Sequence, residues 1–592
     1  MQFLNNILSV AKYEAKLLTR SWFFKVFSTV SVILMITSSA SIVVNPHAFI
    51  SIPSLLAYNL MLYFNVAQAI VSIFLASEYL KRDKQLDTSE VFYVRPLSNA
   101  EYLLGKMWGT LQVFLVLNLI VIAVSVAMGY VYLQEHVSPL SFFMYLFILN
   151  IPTLIYIIGL STFLMLVIKN QALTFVILLG YIGLTLFYIG DKFYYLFDYI
   201  GFNLPMMMST ITGFADWQSL VIHRLMYLFL GLGMILWSIS LFRRLPNSPR
   251  ALYPWRAFAT VMVCAGLGCG GYHVYRYVNS ELFQERLVEL NNQHVHDPKM
   301  EIDSCRIEVV QQEDVLKFKA HIIGTPVKAA STFIFTLNPG FEVTAVNMGG
   351  KPLSFWREEH LLKIDVQRTV KENERIAFTV EYEGVVDERI CYLDIPEEML
   401  NTQEKFMDNF NVGKRYGYQT AEYTLLTPEL YWYPRPGVCY SSESPDWQQC
   451  YFTKFSMEVK PNAGMTVLSQ GERRLSADSL TTSFSPEYPL QSLSLIIGPY
   501  KDCSIEVDST LYSAWYIDGH DFFSQELDLI HDTIPSIISD VRFYYEEEVN
   551  MMYPFNRFSI IEVPAHFASY SRTWTQAQEK MQPEMVLVPE KM

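Results

Sequence analysis

The residues of this 592-residue chain that could carry out chemistry are few and lie far apart. His294 and His296 could suggest a pair of metal ligands, but they lie in a polar segment with no cluster of acidic residues or cysteines nearby, and a metal needs a fuller set of donors. Glu422 and Glu429 could act as an acid and a base, yet the aromatic residues around them are typical of a packed core. We therefore expect no catalytic, cofactor-binding or metal-binding residue in the chain.

The sequence also lacks a phosphate-binding loop of the G-x-x-x-x-G-K-[ST] type. Gly349 and Gly350 are followed by Lys351 and Pro352, which is typical of a hairpin turn. Any ATP-driven activity thus requires a partner ATPase. We find no basic stripe, zinc-finger spacing or recognition helix, so nucleic-acid binding is not expected.

Composition divides the chain into two unlike halves. Hydrophobic residues make up 51% and charged residues 17% of it, whereas soluble domains carry about 25% charged residues. The excess lies in the first 278 residues, and the net charge of −14 comes mainly from the remainder. This predicts an α-helical multi-pass membrane domain of about seven spans and an extracytoplasmic β-rich domain (a β-saddle or sandwich) with a short α/β C-terminal segment.

Each predicted span has about the 20 apolar residues that a bilayer requires. The seven segments are 22–45, 53–77, 107–131, 140–168, 172–190, 219–242 and 256–277. Lysine and arginine concentrate in alternate loops, and the other set of loops offers only Lys192 and Arg224. Positive charge marks the cytoplasmic side, so we expect a cytoplasmic N-terminus and a C-terminal half on the far side.

Two segments of this half are predicted to lie at the membrane surface. Residues 1–20 form an amphipathic helix with Leu4, Leu8, Ala11, Ala15 and Leu18 on one face, which suits the lipid interface; an ordinary juxtamembrane helix is the alternative. Asp191–Gln218 is too aromatic for a solvated loop and too broken for a span, so we interpret it as a half-inserted hairpin.

The loop from Glu78 to Lys106 contains two capping-box patterns, Asp87–Glu90 and Ser98–Glu101. In a capping box the first side chain accepts a hydrogen bond from the third helical amide. The pattern predicts a short surface helix over Thr88–Val94 and a second helix that runs through Lys106 into the third span. A short, capped surface helix suits the docking of a partner.

Amide side chains within the predicted spans could line a substrate path or join helices through hydrogen bonds, and we favour the second interpretation. They are Asn65, Gln68, Gln112, Asn118 and Asn150. The absence of charged residues at mid-span argues against a proton- or ion-coupled transporter.

Three segments resemble the loop that follows the second helix of ABC-2 type transporter permeases: Phe74–Lys84, Val94–Ser98 and Tyr102–Lys106. The resemblance covers residues 1–245 and implies a six-span permease domain over 21–245, followed by a seventh span over 255–278. It implies that a separate ATP-binding cassette ATPase docks on the loop, for which the candidate residues are Glu90, Val91, Phe92, Tyr93 and Arg95. It further implies contact with membrane lipids and pairing with a second permease half, an identical or a related chain, in a bacterial inner membrane.

Beyond a linker at 279–299, the second half resembles the gluzincin zinc aminopeptidases. The resemblance is carried by Thr379–Gly384, Glu422–Pro434, Ile496–Tyr500, Tyr553–Phe555 and Ile561–Pro564. It implies an aminopeptidase-like β domain over 300–510 and the incomplete start of a catalytic domain over 511–592.

Departures from that family decide the expected activity. The zinc chemistry requires the H-E-x-x-H pattern, which does not occur, and the segment after Pro564 does not match the family's amine-binding motif. We therefore expect this chain not to be an enzyme, unless it is a fragment of a longer peptidase fusion.

Cysteines in the second half lie where disulfides can persist. Five of the seven are in this half, and Cys439 and Cys450 flank a turn-like segment. We select them as the candidate disulfide.

The leading function is thus the permease subunit of an ABC exporter with a non-catalytic periplasmic domain. The alternatives are a membrane-anchored peptidase-like or peptide-binding module, and ATP-driven mechanotransmission without transport.

Overall fold

A computed structural model describes residues 2–39, 54–82, 97–133, 138–242, 253–400, 404–406, 410–443, 451–521, 530, 532–570, 572 and 579–590. The chain packs as two compact units. The first comprises Met1–Val278 with Glu404–Gly413, and the second comprises Asn279–Gln403 with Lys414–Met592.

The first unit is helical, as predicted. Its helices are α1 (Gln2–Arg20), α2 (Trp22–Ser39), α3 (Ser54–Arg82), α4 (Asn99–Leu133), α5 (Pro139–Tyr145), α6 (Ile151–Ile168), α7 (Gln171–Leu184), α8 (Trp217–Leu241) and α9 (Tyr253–His294), which continues into the second unit. A π-helical turn, Leu146–Asn150, joins α5 to α6, and a second one, Thr185–Ile189, extends α7.

Within the described residues, six helices or helix pairs are long and apolar enough to cross a membrane, and a seventh results if α1 and α2, which meet at a bend of 71°, count as one span. They correspond in order to the seven predicted segments. The predicted linker over 279–299 is helical as far as His294, because α9 continues beyond the predicted span. The orientation relative to a membrane stays a prediction.

The segment between α7 and α8 consists of turns and a small hairpin of β1 (Met208–Ser209) and β2 (Gly213–Phe214). The carboxylate of Asp198 is buried and accepts hydrogen bonds from the backbone amides of Gly201, Phe202, Asn203 and Leu204 at 2.7–3.1 Å. A second hairpin, β11 (Glu404–Phe406) and β12 (Phe410–Val412), belongs to this unit, and Asn411 Nδ2 donates to Asn203 O at 2.7 Å.

The second unit is rich in β structure, as predicted. One eight-stranded sheet has the order β18-β19-β16-β3-β4-β10-β6-β7. Its strands are β3 (Met300–Gln312), β4 (Val315–Pro326), β6 (Phe341–Met348), β7 (Lys351–Pro352), β10 (Ile376–Gly384), β16 (Lys454–Lys460), β18 (Glu472–Leu475) and β19 (Thr482–Ser485). Gly349 and Gly350, both with positive φ (56° and 79°), form the turn between β6 and β7, as a tight hairpin requires.

Among the described residues of this unit, three smaller sheets have the orders β15-β5-β9-β8, β13-β14-β20-β17 and β21-β22-β23-β25-β24. Their strands are β5 (Ala330–Thr336), β8 (Ser354–Glu358), β9 (Leu361–Val370), β13 (Tyr418–Gln419), β14 (Thr424–Leu426), β15 (Arg435–Pro436), β17 (Thr466–Leu468), β20 (Leu495–Gly498), β21 (Tyr500–Val507), β22 (Thr510–Ile517), β23 (Arg557–Val563), β24 (Met581–Gln582) and β25 (Met585–Pro589). The helices α10 (Glu397–Leu400) and α11 (Ile534–Val549) accompany them.

One hydrophobic core joins the eight-stranded sheet and the two four-stranded sheets. Trp432 is fully buried in it against Phe318, and its indole N–H donates to Leu493 O at 3.1 Å. The aromatic residues around Glu429 are therefore core residues, as the sequence predicted.

Candidate functional site

Helix α1 packs directly on the first turns of α4. Two glycines permit this approach: a Cβ atom on Gly105 would lie 2.6 Å from Val10 Cβ, and one on Gly109 would lie 2.6 Å from Ala11 O. Real side chains do not tolerate such distances, so any residue larger than glycine would push α1 away from α4. We call this contact, made by residues 6–18 and 98–109, the α1–α4 brace.

The brace contains a buried ion pair between Glu14 and Lys106, whose charged atoms are 3.3 Å apart and whose side chains are 1% and 4% exposed. Asn6 Nδ2 adds a hydrogen bond to Glu101 Oε1 at 2.9 Å. A buried pair of this kind holds two elements in one register, since either charge left alone would be strongly destabilising.

Glu101 also forms the predicted capping box at the start of α4. Its Oε2 accepts hydrogen bonds from Ser98 N at 2.6 Å and Ser98 Oγ at 2.8 Å, and Glu101 N donates to Ser98 Oγ at 3.2 Å. This capping box is confirmed. The other box, Asp87–Glu90, and the short helix predicted over Thr88–Val94 lie outside the described residues. So do all the candidate ATPase-docking residues: Glu90, Val91, Phe92, Tyr93 and Arg95.

The predicted apolar face of α1 is only partly the packed face. Ala11 and Leu18 are buried, but Leu4 and Leu8 are 60% and 45% exposed, and Glu14 takes part in the buried face instead. Sequence reasoning missed Glu14. The available signal was its position three residues after Ala11 and four before Leu18, which places it on the same side of the helix.

Four of the five span amides form one buried hydrogen-bonded chain across the helices. Gln68 Nε2 donates to Asn65 Oδ1 at 2.8 Å, Asn118 Nδ2 donates to Gln68 Oε1 at 2.9 Å, and Asn150 Nδ2 donates to Asn118 Oδ1 at 2.6 Å. These hydrogen-bonded amides link α3, α4 and the π-helical turn before α6. Interhelical bonding is therefore confirmed for these four, whereas Gln112 is only half-buried.

Arg224 extends this hydrogen-bonded chain of amide side chains. Its Nη2 donates to Thr153 Oγ1 at 2.6 Å, and Thr153 Oγ1 in turn accepts from Asn65 Nδ2 at 3.1 Å. Arg224 Nε donates to Ile148 O at 3.0 Å, the carbonyl that Pro152 leaves without a helical donor four residues later. The prediction counted Arg224 as a charge of an outer loop; this is wrong, since Arg224 lies within α8 and is buried.

In the second unit, a guanidinium group binds two buried carboxylates. Arg572 contacts both oxygens of Asp394 at 2.5 Å and both oxygens of Glu429 at 2.7–2.8 Å. Glu579 lies nearby and accepts from Glu429 N at 3.4 Å. Burial, with a further contribution from the Glu429 carboxylate, raises the pKa of Glu579 to about 7.

The structure separates the carboxylates that sequence reasoning considered together. Glu429 is 6% exposed and engaged by Arg572, whereas Glu422 is exposed. His296 is exposed, and His294 Nδ1 lies 2.9 Å from Asp297 Oδ2, with the ammonium group of Lys363 2.9 Å from its Nε2. A cation in contact with the imidazole disfavours a metal ion there.

Cys439 is buried, and its Sγ accepts a hydrogen bond from Asn291 Nδ2 at 3.2 Å. Cys450 lies outside the described residues. The Cys439–Cys450 disulfide therefore stays a prediction.

A search of protein-family models gives no match, and a search of curated proteins gives none either. Among solved structures, an M1 zinc metallopeptidase from Deinococcus radiodurans matches with 12% identity and a TM-score of 0.32, over 50% of this chain and 61% of that chain. A variant of that enzyme matches with 13% identity and a TM-score of 0.33, over 49% and 61%. A two-domain M1 zinc metallopeptidase variant bound to L-arginine matches with 11% identity and a TM-score of 0.33, over 49% of this chain and 61% of that chain. The chain thus spans about three fifths of the solved chains that it matches.

Proposed function

We propose that the protein is the membrane-spanning subunit of an exporter-type ABC transporter in a bacterial inner membrane. A separate ATP-binding cassette ATPase drives it, and its aminopeptidase-like domain lies in the periplasm without catalytic activity. The observation that carries the proposal is the α1–α4 brace at the start of α4, the helix that follows residues 83–96 in the chain.

The brace supports the proposal because of what an ATPase on that loop must move. The loop joins α3 to α4, so a force on it acts on the first turns of α4. Those turns hold α1 through the buried Glu14–Lys106 pair and through backbone contact at Gly105 and Gly109. Displacement of the loop would therefore move α1 and α4 as one body. A helix bundle that only anchored a soluble domain would have no use for this arrangement.

The buried amide chain points in the same direction. It joins α3, α4, α6 and α8 through polar contacts that are fully enclosed by the bundle. One span of about 20 residues is enough for anchoring. The bundle therefore favours the permease over the second candidate, a membrane-anchored peptidase-like or peptide-binding module. Mechanotransmission uses the same ATPase and differs only in moving no substrate.

The docking test replaces Val91, Phe92 and Tyr93 with alanine and measures co-purification with the cognate ATPase. We expect co-purification to be abolished while the chain still inserts into membranes. A matched control replaces Phe543, Tyr544 and Tyr545, three exposed consecutive aromatic residues of α11, and should leave co-purification unchanged. Equal co-purification of the loop variant and the wild type would refute the proposal.

The proposal also requires two permease halves, since six spans form half of the pathway in this transporter class. In α9, Gly266 and Gly270 contact α8, whereas a Cβ on Gly268 or Gly271 would meet no atom within 4 Å. The open pair leaves space for the close approach of another helix. Mass measurement of the solubilised complex should give two permease halves; a strict monomer, with or without ATPase, would instead support the anchored module.

Absence of peptidase activity forms part of the proposal. In the second unit, Arg572 forms ion pairs with the buried carboxylates of Asp394 and Glu429, so neither carboxylate is available as a base. The purified chain should not cleave aminoacyl fluorogenic substrates. Cleavage that co-elutes with the chain and disappears with an aminopeptidase inhibitor would contradict this.

A further inference from the structure

Three neighbouring strands of the five-stranded sheet run parallel and end at the same edge. β22 pairs in parallel with β23, and β23 pairs in parallel with β25. His520 follows the end of β22, Glu562 is the penultimate residue of β23, and Glu590 directly follows β25. The carboxyl ends of parallel strands are where open sheets bind ligands, because side chains from several strands converge there.

The three side chains bring their ligand atoms together. One nitrogen of His520 and one oxygen each of Glu562 and Glu590 all lie within 4.8 Å of one another. His520 Nδ1 and Glu562 Oε1 are 2.7 Å apart. Glu590 is 3% exposed, and the side chains of His520 and Glu562 are 11% and 16% exposed. Water is therefore largely excluded from a cluster that carries two carboxylates.

Backbone groups hold both carboxylates in position. Ile517 N donates to Glu562 Oε2 at 2.9 Å, and Ala565 N donates to Glu590 Oε1 at 3.0 Å. The backbone of Glu590 is fixed as well, since its N–H donates to Val563 O at 2.9 Å. Such outer contacts orient ligands in metal sites, where they limit the rearrangement that binding requires.

The sequence led us to expect no metal-binding residue, but from this geometry we propose that His520, Glu562 and Glu590 bind a divalent transition-metal ion of the Zn²⁺ type. With the neutral imidazole that metal binding requires, the two carboxylates carry a charge of −2, which a dication neutralises. One imidazole nitrogen with two carboxylate oxygens suits zinc, whereas magnesium and calcium prefer oxygen ligands alone and more of them.

Binding needs only small movements. Zinc takes nitrogen and oxygen ligands at about 2.0–2.2 Å in a tetrahedron, which places the donors about 3.3–3.5 Å apart. His520 and Glu562 would separate by less than 1 Å, and the more distant donors would approach by a little over 1 Å at most. Water would complete the fourth position. The set is independent of the H-E-x-x-H pattern, and its members are too far apart in sequence to form a motif.

The test uses the full chain in detergent and Zn²⁺ alone as the probe. After dialysis against trace chelator, we expect one zinc per chain by elemental analysis, and at least a tenfold weaker affinity in His520→Ala and Glu562→Gln by titration calorimetry. The control is His321→Ala, which removes the imidazole of an exposed pair with Glu308 at 3.5 Å and should bind zinc like the wild type. Background zinc in the wild type, or equal binding in all variants, would overturn the proposal.

A second measurement needs no variant. Co²⁺ bound in a tetrahedral nitrogen–oxygen site gives visible absorption that is far stronger than that of the aqueous ion, and excess Zn²⁺ should abolish it. A spectrum identical to aqueous Co²⁺ would mean that the three residues form a hydrogen-bonded cluster only. Neither outcome depends on transport or on the ATPase, so a failure here is distinct from a failure of the proposed function.

Discussion

The buried pair Glu14–Lys106 gives a prediction whose sign depends on which partner is removed. We consider Glu14→Met, Lys106→Met and the double variant. Methionine is close in volume to both side chains, so the substitutions remove charge while they largely keep the packing at Gly109, where an added Cβ would lie 3.0 Å from Glu14 Cβ.

The magnitudes follow from the burial of both groups, which are 1% and 4% exposed at 3.3 Å. Removing one partner takes this ion pair away from the buried charge that remains, and should lower the free energy of unfolding by about 3–5 kcal/mol. Replacing both partners removes the desolvation penalty together with the attraction, so the double variant should lie within about 1–2 kcal/mol of the wild type. The two single effects therefore should not add.

Unfolding in mixed micelles on titration with SDS, followed by tryptophan fluorescence, measures these differences. The control is Arg276→Gln, which breaks the half-exposed pair with Asp216, at 3.3 Å and with side chains 29% and 48% exposed. It should change stability by less than about 1 kcal/mol. A double variant as unstable as the sum of the two single variants would refute the reasoning, because it would mean that the groups do not compensate each other.

Three further perturbations follow from the structure. Gly105→Val should displace α1 and lower the yield of folded protein, as measured by size-exclusion chromatography, while Gly180→Val, at a position with no atom within 4 Å, should not. Gln68→Leu should cost about 1–3 kcal/mol in the same SDS titration, because buried Asn65 Oδ1 loses its donor and Asn118 Nδ2 keeps only the bond to Phe114 O. The folded state holds the Glu579 proton more tightly than the unfolded state, so the stabilisation from this proton is present below about pH 4.5 and is lost as the pH rises towards 7. Glu579→Gln should remove this pH dependence and raise the free energy of unfolding at pH 8 by up to about 3 kcal/mol. An unchanged pH profile of thermal unfolding would contradict this prediction.

Local patterns predicted much of the fold because they depend on neighbouring residues. Apolar runs of about 20 residues predicted the helices of the first unit, and the second half of the chain was predicted to be rich in β structure. The Ser98–Glu101 capping box could be read directly, since all its atoms lie within one turn. The structure reproduces each of these elements.

The contacts between elements could not be read in the same way. Glu14 meets Lys106 only because two glycines of α4 permit close packing. Arg224 was counted as a loop charge, yet it binds a carbonyl that Pro152 leaves open in another helix. His520, Glu562 and Glu590 form no sequence motif, and parallel strand pairing alone aligns them. The sequence by itself therefore determined the helices, the strands and their caps, because those depend on local periodicity. Only the tertiary structure decided which charges and ligand atoms meet, because those distances depend on packing between segments far apart in the chain.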